Sequence, residues 1–388
     1  MASHTTTAVF QRGGAPDGRV AGAGLVLATK SIVPAAETGR NRWHASTLMR
    51  IFSGIQPTGD KHLGNWSGGF RQYAATQDQG DAFFCIVDLH SISVEYDTEE
   101  LRERTLDLAA MLFATGLDAE RSTVFIQSHV PAHPEAAWLL GSVASFGELR
   151  RMTQFKDKAD RQEFVSAALF TYPVLQAADI LLYQADGVPV GEDQRQHIEL
   201  ARNIAERFNA RYGETLTLPA MIAPGEGGRI MDLQEPERKM STTGGSPQGT
   251  VRLLDPPDVV RKKFKTAVTD SGSEVRRAPD KPGISNLIEI LSAVSGDGMD
   301  VIEERYDGQG YGRFKEAVGE AVVQVLEPIQ RRYEELRADP RELQRLLARG
   351  AEKAREASEP TLRTMLDRMG FVRSEVGRNF GAARPRDL

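Results

Sequence analysis

Three groups of residues carry side chains and spacings that suit chemistry on a phosphorylated ligand. The first is Thr58-Gly59-x-x-His62-Leu63-Gly64-Asn65, placed between a strand-like run and a helix-like run. A helix N-terminus offers free N–H groups and partial positive charge, a glycine lets a ligand approach the backbone, and His62 and Asn65 can donate to phosphate. The second is Arg238-Lys239-Met240-Ser241-Thr242-Thr243, a cation with hydroxyls in a Gly/Ser/Thr/Pro segment, which suits a mobile phosphate clamp. The third is a helix beginning near Thr171 that sets Tyr172, Gln176, Asp179 and Tyr183 at i, i+4, i+7 and i+11 on one face. Asp179, between Ala178 and Ile180-Leu181-Leu182, is costly to bury unless it accepts hydrogen bonds, and an indole N–H is a donor of the right kind. Gly187 to Leu200 follows: Val188 and Val190 can pack on an aromatic ring, and Asp193 and Gln194 can bind ribose hydroxyls and an ammonium. Each group alone also suits a structural role: a capped turn, a solvated basic loop, a carboxylate satisfied by protein donors.

The elements that position these groups read as alternating strands and helices. Arg50 to Ile55 reads as a strand, Gln56 to Gly59 as a turn, and a helix opens near Asn65 with Trp66, Phe70, Tyr73 and Ala74 as its apolar stripe. Ala82 to Val87 is an unbroken apolar run, the mark of a strand buried on both faces. Asp97 with Glu100 signals a capped helix running to Gly116, and a third strand is expected over Thr123 to Gln127. The alternation continues to about residue 236 and predicts an α/β fold with a parallel sheet and a crevice at its carboxyl edge. From residue 239 the pattern is helical, with long helices over Tyr311 to Ala338 and Pro340 to Met369. The expected organisation is a disordered extension over 1–48, a catalytic domain over 49–238, a helical region over 239–370 and a flexible tail over 371–388. The extension is basic enough for a transit peptide but shows no amphipathic helix, so an over-long start before Met49 is the preferred reading.

Composition narrows the classes. The chain has 388 residues with 48 basic and 54 acidic side chains, a net charge of −6, so a nucleic-acid partner must be met by a local basic face. Arg252, Arg261, Lys262, Lys263 and Lys265 form such a run. One cysteine, Cys85, excludes an internal disulfide and zinc or iron–sulfur sites built on Cys-x-x-Cys pairs, and points to a reducing compartment. No stretch is long and apolar enough to span a membrane.

Taken together, the first two groups resemble the paired HIGH and KMSKS motifs of class I aminoacyl-tRNA synthetases. With the third group the resemblance narrows to the bacterial tryptophanyl-tRNA synthetases over residues 50 to about 370. It is carried by Ile51 to Pro57, Phe84 to Asp88, Gly147 to Lys156, Tyr172 to Leu200 and Ala267 to Ser271. The His197-x-x-Leu200 pattern after Asp193-Gln194 favours tryptophan over tyrosine. The resemblance implies a Rossmann-like catalytic domain with a helical anticodon-binding region, a cytoplasmic homodimer, and two-step ligation of L-tryptophan to tRNA(Trp). ATP with Mg2+ enters as the substrate complex, and no metal is held by protein ligands. By similarity, the ATP site is Gln56, Pro57, Thr58, Gly64, Asn65, Gly191, Glu192, Asp193 and Ile230, with Lys239, Met240, Ser241, Thr242 and Thr243 closing over the phosphates. The tryptophan pocket is Phe52, Gln56, His90, Tyr172, Gln176, Asp179, Ile180, Val188, Val190 and Gln194. His62, Asn65, Lys158 and Lys239 are the implied catalytic residues, and Lys156 also matches a family lysine near the phosphates.

Three positions depart from the family pattern. Thr242 stands where a second lysine is common, Gln176 where bacterial members usually carry methionine, and His62 where threonine is common. The Gln176 change motivates the expectation of an auxiliary copy tolerant of tryptophan-like inhibitors. The Thr242 change leaves a competing expectation, a non-catalytic or specialised paralogue that binds tRNA, tryptophan or a protein partner.

Overall fold

Ala82 to Val87 has no polar face to give to water, and the chain buries the whole run inside a parallel sheet. The computed structural model describes residues 49–78, 80–155, 164–222, 229–242 and 245–372; Lys156, Lys158, Thr243, the first 48 residues and the tail from 373 lie outside the described residues. Five strands, β1 (Met49–Ile55), β2 (Gly80–Ile86), β3 (Thr123–Ile126), β4 (Gly187–Pro189) and β5 (Ala220–Ile222), lie in the order β3-β2-β1-β4-β5. All pairings are parallel, with Met49 opposite Gly80, Phe83 opposite Thr123, Ile51 opposite Gly187 and Gly187 opposite Ala220. Alternate residues of β2 serve opposite cores: Phe84 and Ile86 face one, Phe83 and Cys85 the other.

The connections are helical: α1 (Leu63–Asn65) and α2 (Arg71–Thr76), separated by a π-helical turn over Trp66–Phe70; α3 (Asp88–Ser91); and α4 (Thr98–Ala114). Then come α5 (Ala132–Gly141), α6 (Phe146–Arg151), α7 (Ala167–Leu181) and α8 (Arg195–Tyr212). Asp97 caps α4 by accepting from the Glu100 N–H at 2.8 Å. After β3 the chain passes over to β4 on the far side of β1. The order therefore reverses between β1 and β4, and a crevice opens at their carboxyl ends. The expected alternation ends sooner than residue 236, since the last described strand closes at Ile222.

The remainder is helical: α9 (Pro257–Lys265), α10 (Pro282–Ser295), α11 (Met299–Tyr306), α12 (Gly310–Ala338) and α13 (Pro340–Arg368). This region is laced onto the sheet. Asn286 of α10 exchanges two hydrogen bonds with the Met231 backbone, at 2.9 and 3.0 Å, and Tyr333 of α12 donates to Asp107 of α4 at 2.7 Å. Helix α13 crosses β3 so closely that a Cβ at Gly350 would overlap the Val124 carbonyl. Its Leu343 and Leu347 join one core, and its Ala351, Ala354, Leu362 and Met365 join the other.

Candidate active site

At the carboxyl end of β1 the chain turns through Gln56 to Lys61 into α1. His62 caps that helix: its Nδ1 accepts the Gly64 N–H at 3.1 Å, while the Asn65 side chain accepts the His62 N–H at 3.0 Å. Burial, with Lys239 and Lys61 nearby, pushes the His62 pKa down to about 4. The ring is therefore neutral near pH 7, and with Nδ1 acting as acceptor its proton sits on Nε2, ready to be donated. Gly64 is required beside it, because a Cβ there would fall 2.9 Å from the imidazole. The Lys61 amine pins the turn from behind, donating to the Thr58 and Gln56 carbonyls at 2.8 and 3.3 Å; burial first, and Arg104 second, lower its pKa to about 8.

The basic loop comes back to this turn. Met240 N–H donates to Ile230 at 3.1 Å, Thr250 holds the Ser241 carbonyl at 2.8 Å, and the Thr242 hydroxyl reaches the Asp60 carbonyl at 3.4 Å. Lys239 is exposed and close enough to act on the His62 charge. Ile230 and Met240, expected at the ATP site, have core side chains exposed by only 1%, so any part they take in nucleotide binding is through the backbone. Gly191, Glu192 and Asp193 follow β4 on a short 3-10 turn, where Asp193 accepts from the Gln194 amide at 2.8 Å.

All ten residues expected at the tryptophan pocket line one cavity of about 280 Å³, together with Gly54, Val87 and Gln154, which sequence reading did not single out. They come from the ends of β1 and β4, the segment after β2 and one face of α7. Asp179 is only 1% exposed, and three protein donors meet it: His133 Nδ1 and Gln127 Nε2 on Oδ1, both at 2.6 Å, and His90 Nε2 on Oδ2 at 2.9 Å. Burial pushes its pKa up, but the hydrogen bonds from His133 and His90 outweigh it and hold the carboxyl at about 2. Tyr172 meets His197 Nε2 at 2.9 Å through its hydroxyl, and Gln176 lies 3.5 Å from Gln194.

Two sequence expectations need correction. Tyr183 does not share the ligand face of α7, because the helix stops at Leu181; it turns into the core against Phe52 and Phe83, with ring centroids 5.3 and 4.7 Å away. Nor is the 252–265 basic run a uniform free face. Lys263 is taken up by Asp255 and the Thr250 carbonyl, at 2.6 and 2.7 Å, while Arg261 pairs with Glu320 and Arg252 with Asp60. Among the described residues no group of three or more His, Cys, Asp or Glu side chains is placed to hold a metal, and no helix is long and apolar enough to cross a membrane.

The model of the family described as tRNA synthetases class I (W and Y) matches residues 45–327. The chain belongs to that family. Within it, the resemblance is to the tryptophan enzymes: a protein of Streptomyces avermitilis named tryptophan–tRNA ligase 2 is 51% identical over 84% of this chain and 98% of its own. The tryptophan–tRNA ligase of Mycobacterium leprae is 50% identical, with the same coverage. Among solved structures, the tryptophanyl-tRNA synthetase of Mycoplasma pneumoniae superposes with a TM-score of 0.74 at 35% identity, covering 84% of this chain and 99% of that one. That of Campylobacter jejuni, complexed with ADP and tryptophan, gives 0.73 at 32%, covering 83% and 100%. The chain is thus a tryptophan–tRNA ligase family member with a Rossmann-like sheet and C-terminal helices, an ATP-dependent aminoacyl-tRNA ligase by family.

Proposed function

We propose that the chain joins L-tryptophan to tRNA(Trp) in two steps, with the crevice between β1 and β4 holding both small substrates. In the first step the tryptophan carboxylate attacks the α-phosphate of Mg-ATP, forming tryptophanyl-adenylate and releasing pyrophosphate. In the second a ribose hydroxyl of the tRNA's terminal adenosine attacks the acyl carbonyl and AMP leaves. The protein's contribution is positioning and stabilisation of charge on the transferring phosphate. Neutral His62 and Asn65 donate to the phosphates at the N-terminus of α1, and Lys239 and Ser241, with Thr242 and Thr243, close over them. Gln56, Thr58, Gly191 and Asp193 hold the nucleoside, while Lys158 supplies a further cation.

The observation that carries the tryptophan reading is a buried, ionised Asp179 at the wall of a cavity whose apolar lining includes Phe52, Ile180, Val188 and Val190. Such a site accepts an aromatic side chain with an N–H and penalises one without it, since phenylalanine would leave an acceptor short of a partner at about 1–3 kcal/mol. Residues 239–370 are assigned to the anticodon-binding region, the protein to the cytoplasm, and its working form to a homodimer. ATP–pyrophosphate exchange with L-tryptophan, L-tyrosine and L-phenylalanine tests the reading. Exchange with tryptophan alone is expected. Tryptophan binding by folded protein without exchange would favour the non-catalytic paralogue, whose support is Thr242.

A further inference from the structure

The wall behind Asp179 is as specifically built as the cavity in front of it. A carboxylate oxygen offers two lone pairs in its plane. Oδ1 has both occupied, by His133 Nδ1 and Gln127 Nε2, whereas Oδ2 has, among the described residues, one protein donor, His90, and one position left. His90 lines the cavity; His133 and Gln127 are completely buried behind it. Neither can touch a ligand, yet together they set the rotation of the carboxylate about its Cβ–Cγ bond.

Each of the two is itself oriented. The Gln127 carbonyl accepts the Leu89 N–H at 3.1 Å, which turns its NH2 toward Asp179. His133 meets the carboxylate through Nδ1–H at 2.6 Å, and its other nitrogen, Nε2, lies 2.8 Å from the Tyr183 hydroxyl. Tyr183 is locked between Phe52, Phe83 and Phe125, and its hydroxyl meets the Ser358 side chain of α13. Burial of a hydroxyl and an imidazole in an aromatic cluster is costly unless they satisfy each other.

We propose that Tyr183, His133 and Gln127 are positioning residues for amino-acid selection: they hold Asp179 with the open lone pair of Oδ2 facing an N–H of the substrate ring. This rests on the tryptophan reading of the cavity. The open Oδ2 position calls for an N–H donor on the substrate ring, and it makes the preference for that donor depend on residues that never touch it.

The test compares Tyr183→Phe with wild type in ATP–pyrophosphate exchange, using L-tryptophan and its 3-benzothienyl isostere, in which sulfur replaces the N–H. Wild-type exchange with tryptophan is the control for the reading itself; its absence would remove the substrate assignment before the variant is considered. Given that activity, Tyr183→Phe is expected to raise KM for tryptophan about tenfold. The kcat, the KM for ATP and the KM for the isostere should stay within about twofold, so the preference for N–H over sulfur shrinks about tenfold. An equal rise of KM for both amino acids would reduce Tyr183 to a packing residue, and no rise for either would remove its role. Gln127→Met, which deletes the second Oδ1 donor at nearly constant volume, should show the same selective loss, and decides the matter should Tyr183→Phe not fold.

Discussion

At the scale of single residues, this site works by keeping ionisable groups in one protonation state. His62 is held neutral because a charged ring would sit buried beside Lys239 and Lys61. Its folded pKa of about 4 lies below the ordinary 6.5, so the unfolded chain binds the proton first as the pH drops. The stability it contributes is therefore complete above about pH 6.5 and declines between there and about 4. Urea denaturation at pH 7 and pH 5 should show a smaller loss on acidification in His62→Ala than in wild type. On its proposed role as a donor to the transferring phosphate, the same substitution should lower the kcat of exchange roughly 100-fold; a change under threefold would exclude the ring from the chemistry. Gln176 is a different case: it brings an amide to a cavity wall 3.5 Å from Gln194. Gln176→Met should tighten inhibition by an indole-based competitor about tenfold while leaving KM for tryptophan within about threefold. An unchanged inhibition constant would dispose of the inhibitor-tolerance idea.

At the scale of elements, α13 is the piece whose placement matters most and whose contacts are hardest to foresee. Its existence is plain from the 3.6-residue period after Pro340, and the structure places it at Pro340–Arg368. Nothing local says that Gly350 must lie on the Val124 carbonyl, because that contact joins residues far apart in the chain. Gly350→Ala should push α13 off β3 and destabilise the fold by about 1–3 kcal/mol, read as a lower thermal midpoint. The same distinction separates what was legible in the site from what was not. The strand ends, the capped turn at His62 and the α7 face bearing Tyr172, Gln176 and Asp179 are written as local periodicities. Gln127 and His133 carry no motif; they become partners of Asp179 only because the turn after β3 and helix α5 bring them against α7. Tyr183 misleads for a related reason: the helical period that groups it with Asp179 ends two residues before it. The basic run misleads in the other direction, since charge in a sequence does not reveal which cations are spent on internal carboxylates, as Lys263 is on Asp255.

At the scale of the molecule, the surface is uneven in its apolar exposure. Trp138 on α5 is 84% exposed and lines a groove of about 700 Å³ together with Leu89, Ile92, Leu149, Val174 and Leu175. A large aromatic left in water next to an apolar groove fits an interface better than a monomer surface, and it supports placing the proposed homodimer contact on this face. The position has a consequence for the active site. Tyr172 lines both the groove and the proposed tryptophan cavity, so a partner covering the groove would stiffen a wall of that cavity. Trp138→Glu puts a charge where the two copies would meet and should shift the sedimentation coefficient from dimer to monomer. If the faces are coupled through Tyr172, the monomer should also show KM for tryptophan raised about tenfold, with KM for ATP much less affected. A monomer with unaltered tryptophan KM would keep the interface and discard the coupling. A dimer that survives Trp138→Glu would move the interface elsewhere, and the exposed tryptophan would then need another occupant.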